Sequence, residues 1–228
     1  MRRAAAVAIV AALLLAACGD GEAPGRLIRF RTEDGVALAG ELRGSGTTGV
    51  VLAHMFPTDR TSWSDLATLL EDQGFMSLAI DFRGYGDSGG EKDIPEIWRD
   101  VLAAIETLRD RGARKIVLVG ASMGGTASLI AASRTEVQGV VTLSAATTFM
   151  GLSAPPEVLQ AVDEPKLFVA AEGDGSAAAT AQAFYDTASG AKRLEIVTGE
   201  DHGTDLLEGQ HGEAVRRMIL EFLTGLPG

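Results

Sequence analysis

Residues 115–125 read Lys-Ile-Val-Leu-Val-Gly-Ala-Ser-Met-Gly-Gly, an apolar run that leads directly into a serine flanked by glycines. The apolar run has the length and composition of a strand that is buried on both faces of a sheet. The residues after Ser122 predict a helix, and Gly-x-Ser-x-Gly between a strand and a helix is typical of a nucleophile elbow. Gly120 and Gly124 allow a turn that is too tight for flanking side chains. Such a turn lifts Ser122 above the carboxyl end of the sheet, where helix amides favour negative charge.

The rest of the chain alternates between apolar runs and amphipathic stretches, as in a doubly wound α/β domain. The alternating residues of Arg26–Thr32 and Val36–Arg43 predict an opening antiparallel hairpin. Uninterrupted apolar runs predict further strands at Gly49–Ala53, Met76–Ile80, Lys115–Val119, Val137–Leu143, Lys166–Ala171 and Lys192–Val197. Apolar and helix-favouring patterns predict helices at Trp63–Asp72, Ile94–Arg111, Met123–Ser133, Ala177–Ala188 and Glu213–Leu223. We expect one domain with a mostly parallel central sheet and helices on both faces.

The composition excludes several classes of protein. The 228 residues include 31 acidic and 20 basic side chains, which give a formal net charge of −11 and a pI near 4.7. This balance argues against a surface that neutralises phosphates, so we expect no nucleic-acid partner. A single cysteine excludes an internal disulfide, and no two histidines have metal-ligand spacing. No glycine-rich phosphate-binding motif is present, and we expect neither a metal nor a cofactor.

The start of the chain has the layout of an export signal. Two arginines precede the apolar run Ala4–Ala17, which is shorter than the roughly 20 residues of a transmembrane helix. The run ends in Leu15-Ala16-Ala17-Cys18, which resembles the lipobox of bacterial lipoproteins. The resemblance implies that Cys18 becomes the lipidated first residue of the mature chain. An ordinary cleaved signal, in which Cys18 has no role, is the alternative.

These features divide the chain into three parts. We expect a signal peptide over residues 1–17, a lipidated and glycine-rich tether over 18–25, and the folded domain over 26–228. The protein would then be an exported cell-envelope lipoprotein on the periplasmic or extracellular face, attached to the membrane through Cys18. Under the alternative signal it would be secreted.

Three further loops carry a resemblance to a known family. Asp81–Ser88 reads Asp-Phe-Arg-Gly-Tyr-Gly-Asp-Ser, Leu52–Pro57 reads Leu-Ala-His-Met-Phe-Pro, and Gly199–Gly203 reads Gly-Glu-Asp-His-Gly. Together with the serine elbow, these loops resemble the α/β-hydrolase family, and in particular its serine esterases and dienelactone hydrolases. The resemblance covers about residues 26–223. It implies an α/β-hydrolase fold with a nucleophile, an acid and a base at the carboxyl edge of the sheet.

A serine hydroxyl needs a base to remove its proton, and the chain has three histidines. His202 follows the final predicted strand, which places it at the same sheet edge as Ser122, and we assign it as the general base. His54 belongs to the loop after an earlier strand, where the family uses a histidine to shape the oxyanion loop. His211 lies near the start of the last predicted helix, where a solvated surface position is expected.

The base in turn needs a carboxylate that fixes its tautomer. Asp174 follows the strand Lys166–Ala171, where the family places its acid, and the order Ser122, Asp174, His202 matches the order expected for this fold. Glu172 and Asp201 are the competing acids. We expect the first to lie too close to the strand end and the second to point away from the histidine.

The tetrahedral intermediate of acyl transfer needs two amide donors for its oxyanion. The residue after the nucleophile, Met123, supplies one of them. The resemblance points to the backbone of Phe56 as the second. The chain departs from the family at Met55, where glycine is common, and this side chain could narrow or tilt the loop.

The segment from Ala145 to Glu164, where many family members carry a large lid, has only 20 residues. We expect a minimal lid over an open pocket, with Phe149, Met150 and Leu152 as wall residues. The resemblance then implies a serine hydrolase that cleaves small carboxylic esters or thioesters through an acyl-enzyme. A non-catalytic, surface-tethered binding or accessory protein with the same fold remains the alternative, as does a peptidase or lactone hydrolase that uses the same triad.

Overall fold

The computed structural model describes residues 25–227, which form a three-layer α/β domain. The strands are β1 (Arg26–Arg31), β2 (Ala37–Arg43), β3 (Thr48–Ala53), β4 (Met76–Asp81), β5 (Lys115–Ala121), β6 (Gly139–Leu143), β7 (Thr148–Phe149), β8 (Leu152–Ser153), β9 (Lys166–Ala171) and β10 (Lys192–Val197). The helices are α1 (Ser64–Asp72), α2 (Trp98–Asp110), α3 (Met123–Ala132), α4 (Pro156–Gln160), α5 (Ala177–Thr187) and α6 (Gly212–Thr224). Short 3₁₀ turns cover Arg60–Trp63, Ile94–Glu96 and Gly203–Leu207.

Eight of the strands form one sheet in the order β1-β2-β4-β3-β5-β6-β9-β10. The pairs β1–β2 and β2–β4 are antiparallel, and every other neighbouring pair in this sheet is parallel. The opening hairpin and the mostly parallel sheet that the sequence predicts are therefore confirmed. Because β3, β5, β6 and β9 run in the same direction, their carboxyl ends meet along one edge of the sheet. The loops that carry the candidate site residues Phe56, Ser122 and Asp174 lie at this edge.

Each face of the sheet is covered by its own group of helices. On one face, α2, α3, α4 and α5 pack onto a core that includes Leu118, Phe168 and Phe184. On the other face, α1 and α6 pack onto a core that includes Val119 and Ile219. Neighbouring residues of β5 thus enter opposite cores, which is why the central strands read as continuous apolar runs rather than alternating ones.

Two predicted elements differ from the structure. The helix expected over Ile94–Arg111 is divided into the 3₁₀ turn Ile94–Glu96 and α2, which begins at Trp98. The lid segment contains the two-residue strands β7 and β8 in addition to the short helix α4. Leu152, expected in the pocket wall, is 1% exposed and packs into the core, so that expectation is wrong.

The expected signal peptide and lipidation site at Cys18 lie outside the described residues, as does all of the tether except Gly25. Within the described part of the chain, no helix has the length and apolar character needed to cross a membrane.

Candidate active site

Ser122 occupies a strained turn between β5 and α3. Its backbone lies at φ 49° and ψ −117°, a region that side-chain-bearing residues rarely adopt. The amide of Ser122 donates to the carbonyl of Leu143 at the end of β6 (2.8 Å), and the carbonyl of Ser122 accepts from Thr126 in α3 (3.1 Å). The turn is thus held from both the strand side and the helix side, and the neighbouring structure sustains the strain.

The two glycines of the elbow are required by backbone contacts. A Cβ atom at Gly120 would lie 2.3 Å from the carbonyl oxygen of Gly124, and one at Gly124 would lie 2.2 Å from the carbonyl oxygen of Ala53. Backbone atoms of the central sheet cannot move aside as a flexible side chain can. Glycine at both positions lets α3 begin directly against β3 and β5.

The side chains of His202 and Asp174 are hydrogen-bonded. His202 Nδ1 lies 2.8 Å from Asp174 Oδ2 and 2.9 Å from Oδ1. Asp174 is held in a turn after β9, where its amide donates to Ala171 (3.3 Å) and its carbonyl accepts from Ala177 at the start of α5 (2.8 Å). Because the carboxylate accepts a hydrogen bond from Nδ1–H, neutral His202 presents the lone pair of Nε2 as its free acceptor.

The loop that carries His202 lies against the serine elbow. A Cβ atom at Gly203 would be 3.4 Å from the Cβ of Ala121, which directly precedes Ser122, and 2.6 Å from Met55 Sδ. Among the described residues, no hydrogen bond joins Ser122 Oγ to His202. Hydrogen bonds of this kind are often long without substrate and tighten when it binds.

The competing residues are not part of this arrangement. Glu172 is exposed, and neither Glu172 nor Asp201 forms a hydrogen bond with His202 among residues 25–227. His211 lies elsewhere, with its Nε2 2.7 Å from Thr198 Oγ1.

The peptide between Met55 and Phe56 is held by three donors on one oxygen. The carbonyl of Met55 accepts from His54 Nδ1 (2.8 Å), from the Thr58 amide (3.1 Å) and from Thr58 Oγ1 (3.0 Å). The N–H of Phe56 belongs to the same peptide plane and points the opposite way. Within the described residues it donates to no acceptor, and neither does the amide of Met123 at the start of α3. Two free N–H groups therefore lie on the loops that flank Ser122.

His54 is a structural histidine in this loop. It is fully buried, and its Nε2 accepts a hydrogen bond from the Phe82 amide (3.1 Å) while Nδ1 faces the Met55 carbonyl. Burial lowers the pKa of His54 from its ordinary value of 6.5, although the hydrogen bond to Met55 and the nearby Asp81 oppose the shift. The ring stays neutral and ties the loop after β3 to the loop after β4.

The loop after β4 is fixed by buried carboxylates. Asp81 is fully buried, accepts from the amides of Arg60 and Asp87 (2.9 Å each) and pairs with the Arg60 guanidinium. Arg83 is buried between Asp100 (2.7 Å) and Asp34 (2.9 Å). These contacts stabilise the loop that supports His54.

An apolar wall flanks the serine on the β3 side. The ring of Phe56 is 42% exposed and lies 5.7 Å from the ring of Phe149, and its edge-to-face contact with Tyr85 is 6.5 Å between centroids. Met150, at the tip of the β7–β8 hairpin, is 65% exposed. We name Phe56 and Phe149, whose rings are in contact, the aromatic wall.

Sequence reasoning missed two residues of this region, Thr58 and Ser144. Thr58 stands three residues after Met55, a spacing typical of a side chain that closes a tight turn onto the preceding carbonyl. Ser144 directly follows β6 and is therefore at the same sheet edge as the elbow, a position that strand prediction alone could have flagged. In the described part of the chain, no group of three or more His, Cys, Asp or Glu side chains could hold a metal ion.

Comparison with known proteins agrees with this fold. A family model described as the alpha/beta hydrolase fold matches residues 49–193, and the chain therefore belongs to the α/β-hydrolase fold family. Among curated proteins, bifunctional epoxide hydrolase 2 of Sus scrofa is 36% identical over 84 residues, which cover 36% of this chain and 15% of that protein. The uncharacterized protein YfhR of Escherichia coli is 22% identical over 226 residues, covering 86% of this chain and 79% of that protein.

Solved structures share the fold over most of the chain. The structure of DcsB with its substrate analogue has a TM-score of 0.79 at 19% identity, covering 89% of this chain and 100% of that one. An esterase of Pyrococcus furiosus has a TM-score of 0.77 at 16% identity, covering 90% and 92%. A dienelactone hydrolase of Anabaena variabilis has a TM-score of 0.74 at 24% identity, covering 89% and 98%. At these identities the likeness shows the fold.

Proposed function

We propose that this protein is a serine hydrolase that cleaves carboxylic esters or thioesters through an acyl-enzyme. The observation that carries the proposal is the hydrogen bond between Asp174 and His202, together with the packing of the His202 loop against the strained Ser122 elbow. A base with a fixed tautomer, on a loop that packs against the serine elbow, is the minimum that nucleophilic acyl transfer requires.

The proposed reaction has two halves. Ser122 Oγ attacks the substrate carbonyl carbon while His202 Nε2 takes the hydroxyl proton, and the amides of Met123 and Phe56 hold the resulting oxyanion. Collapse of this intermediate breaks the bond to the alcohol or thiol, which leaves with the proton from His202. Water then attacks the acyl-serine, again with His202 as base, and releases the acid and the free serine.

The nucleophile itself favours acyl substrates over the epoxides named in the curated relatives. Attack of Ser122 on an epoxide carbon would form an alkyl ether, which has no carbonyl for water to attack and would stop turnover after one event. An acyl-serine ester can be hydrolysed by the same groups that formed it. Lactones and peptides use the same chemistry as esters and are the runner-up substrates.

The Ser122→Ala variant tests the proposal. It removes the attacking oxygen without adding volume, so turnover of p-nitrophenyl butyrate should fall to background while circular dichroism and thermal unfolding stay those of the unchanged protein. Ser133→Ala is the matched control, because Ser133 ends the same helix with its hydroxyl on the Ile130 carbonyl (2.8 Å). Undiminished turnover in Ser122→Ala would contradict the proposal.

The alternative of a non-catalytic binding protein predicts a different result. An activated Ser122 should react with a fluorophosphonate probe, and the label should map to the peptide containing Ser122. A protein that keeps the fold without catalysis would not be labelled under conditions that label a known serine esterase.

We also propose that the protein is exported and attached to the membrane through a lipid on Cys18. The proposal rests on the sequence of residues 1–18. Mass spectrometry of the chain purified from its native envelope should find Cys18 as the first residue, with a diacylglyceryl group. A mature chain that begins elsewhere, or an unmodified Cys18, would refute the anchor without affecting the proposed reaction.

A further inference from the structure

A small recess adjoins the Asp174–His202 pair. It has a volume of about 120 Å³ and lies among the loops after β6 and β9 and the first turn of α5. Its lining includes Ser144, Ala145, Asp174, Ser176, Thr180 and His202. A recess of this size accommodates roughly four water-sized groups, so it suits a short substituent rather than a long chain.

Ser144 is the unusual residue of this lining. It is 2% exposed, and its backbone lies at φ 51°, in the left-handed region that a serine rarely adopts. Its amide is fixed to the Val169 carbonyl (2.8 Å), but its Oγ is buried and has no hydrogen-bond partner among the described residues. A buried hydroxyl without a partner lowers the stability of the folded protein.

The other two hydroxyls of the recess differ in their exposure. Ser176 is exposed and Thr180 is partly exposed, so water can reach them, and neither hydroxyl forms a hydrogen bond with the described residues. The recess therefore carries three hydroxyls that the protein itself does not use. Only that of Ser144 is buried without a partner, and it gains most from a partner that enters with the substrate.

We propose that Ser144 Oγ binds substrate by donating a hydrogen bond to an oxygen substituent on the half of the ester that enters the recess. The inference rests on the proposed function and narrows its substrate class to short esters that carry a hydroxyl or alkoxy oxygen near the reacting carbonyl. The aromatic wall holds the apolar half. A site built to hydrogen-bond a substrate oxygen discriminates against the analogue that lacks it.

Pairs of esters that have the same shape test this assignment. The acyl pair is p-nitrophenyl methoxyacetate and p-nitrophenyl butyrate, in which an ether oxygen replaces one methylene. The alcohol pair is 2-methoxyethyl acetate and butyl acetate, whose hydrolysis is measured by the acetic acid that is released. In the Ser144→Ala variant, the preference for the ether over the hydrocarbon ester should fall roughly 10-fold in one of the two pairs. If the preference falls in the acyl pair, the acyl half of the substrate enters the recess; if it falls in the alcohol pair, the alcohol half does.

The matched control is Ser77→Ala. Ser77 is also fully buried with an unpartnered hydroxyl, but it lies near the amino end of β4, far from the recess. Both variants should unfold at the same temperature as the unchanged protein or above it, since each removes an unsatisfied hydroxyl. Only Ser144→Ala should change the ester preference, and the change should come from slower turnover of the ether ester in the pair that responds.

The outcomes separate this inference from the function on which it rests. An unchanged preference in both pairs, or an equal change in Ser77→Ala, would overturn the role of Ser144 while leaving the serine hydrolase proposal intact. No turnover of any of the four esters by the unchanged protein would overturn the proposed function and this inference with it. A marked loss of thermal stability in Ser144→Ala would assign the hydroxyl a structural role instead.

Discussion

His202 Nδ1 lies at nearly equal distances, 2.8 and 2.9 Å, from the two carboxylate oxygens of Asp174. This geometry fixes the orientation of the imidazole ring relative to the carboxylate and directs the Nδ1 proton towards Asp174. The pair spans 28 residues of sequence and joins the loop after β9 to the loop after β10. It defines where a proton can be accepted at this edge of the sheet.

The Asp174→Asn variant should lose most of the esterase rate. An asparagine side chain can donate to Nδ1 and so favours the tautomer in which Nε2 carries the proton and cannot act as a base. By analogy with the serine protease triad, kcat should fall by about 10⁴-fold, with a smaller effect on KM. Steady-state kinetics on p-nitrophenyl butyrate measure this loss.

Glu172→Gln is the control for that experiment, because Glu172 is exposed on the same loop and does not contact the histidine. It should retain the full rate. If Glu172→Gln were the impaired variant and Asp174→Asn the active one, the assignment of the acid would be wrong.

The Thr58→Val variant should slow acyl transfer without preventing substrate binding. It removes one of three hydrogen bonds on the Met55 carbonyl and so loosens the peptide that carries the Phe56 N–H. We expect kcat to fall by roughly 10-fold, against about 10²–10³ for loss of a whole oxyanion donor, with KM nearly constant. Thr61→Val is a suitable control, since the Thr61 hydroxyl bonds Asp59 instead. Equal kcat and KM values in the two variants would show that the Thr58 hydroxyl does not position the Phe56 N–H.

The Gly124→Ala variant should be strongly destabilised. Its methyl group would lie 2.2 Å from the Ala53 carbonyl oxygen and 2.6 Å from that of His54, so α3 would have to move off the sheet. Overpacking of this kind costs roughly 1–3 kcal/mol or more. Urea unfolding, compared with Gly89→Ala, measures the difference, since the only contact of a Cβ at Gly89 is at an ordinary 3.4 Å. Similar midpoints for both variants would show that the elbow tolerates side chains.

Stability should fall with pH below 6.5 because of His54. Burial lowers the pKa of this ring in the folded protein, whereas the unfolded chain binds a proton near the ordinary value of 6.5. Below pH 6.5 the unfolded state therefore takes up more protons, and the folded state loses up to about 1.4 kcal/mol per pH unit from this group.

Urea unfolding of the unchanged protein and of His54→Gln at pH 7.5 and 5.5 tests this dependence. The free energy of unfolding should fall more between the two pH values in the unchanged protein than in the variant, although the variant is less stable overall. His211→Asn, which alters a histidine on the surface, should keep the full dependence. An identical pH dependence in His54→Gln would show that His54 does not titrate differently in the two states.

Much of the fold could be predicted from local patterns. The apolar run of β5 and the elbow glycines are readable in the chain, because backbone geometry at a tight turn admits few residue types. The order of Ser122, Asp174 and His202 was recognised through the resemblance to the α/β-hydrolase family. The start of α2 and the β7–β8 hairpin could not be predicted, since helix ends and two-residue strands give weak local signals. The sequence predicts Leu152 in the pocket wall, whereas it lies in the core, because the hydrophobicity of a residue does not distinguish these two positions.

The sequence by itself determined the class of domain and the candidate nucleophile, since an apolar strand followed by Gly-x-Ser-x-Gly and a helix is a local pattern. Its family resemblance added the candidate histidine and carboxylate after later strands. Only the tertiary structure decided how the loops around the serine elbow are held in place. The three donors on the Met55 carbonyl and the unpartnered hydroxyl of Ser144 depend on which distant atoms come within hydrogen-bond distance. Such contacts arise from the packing of loops that are far apart along the chain, and no periodicity or spacing encodes them.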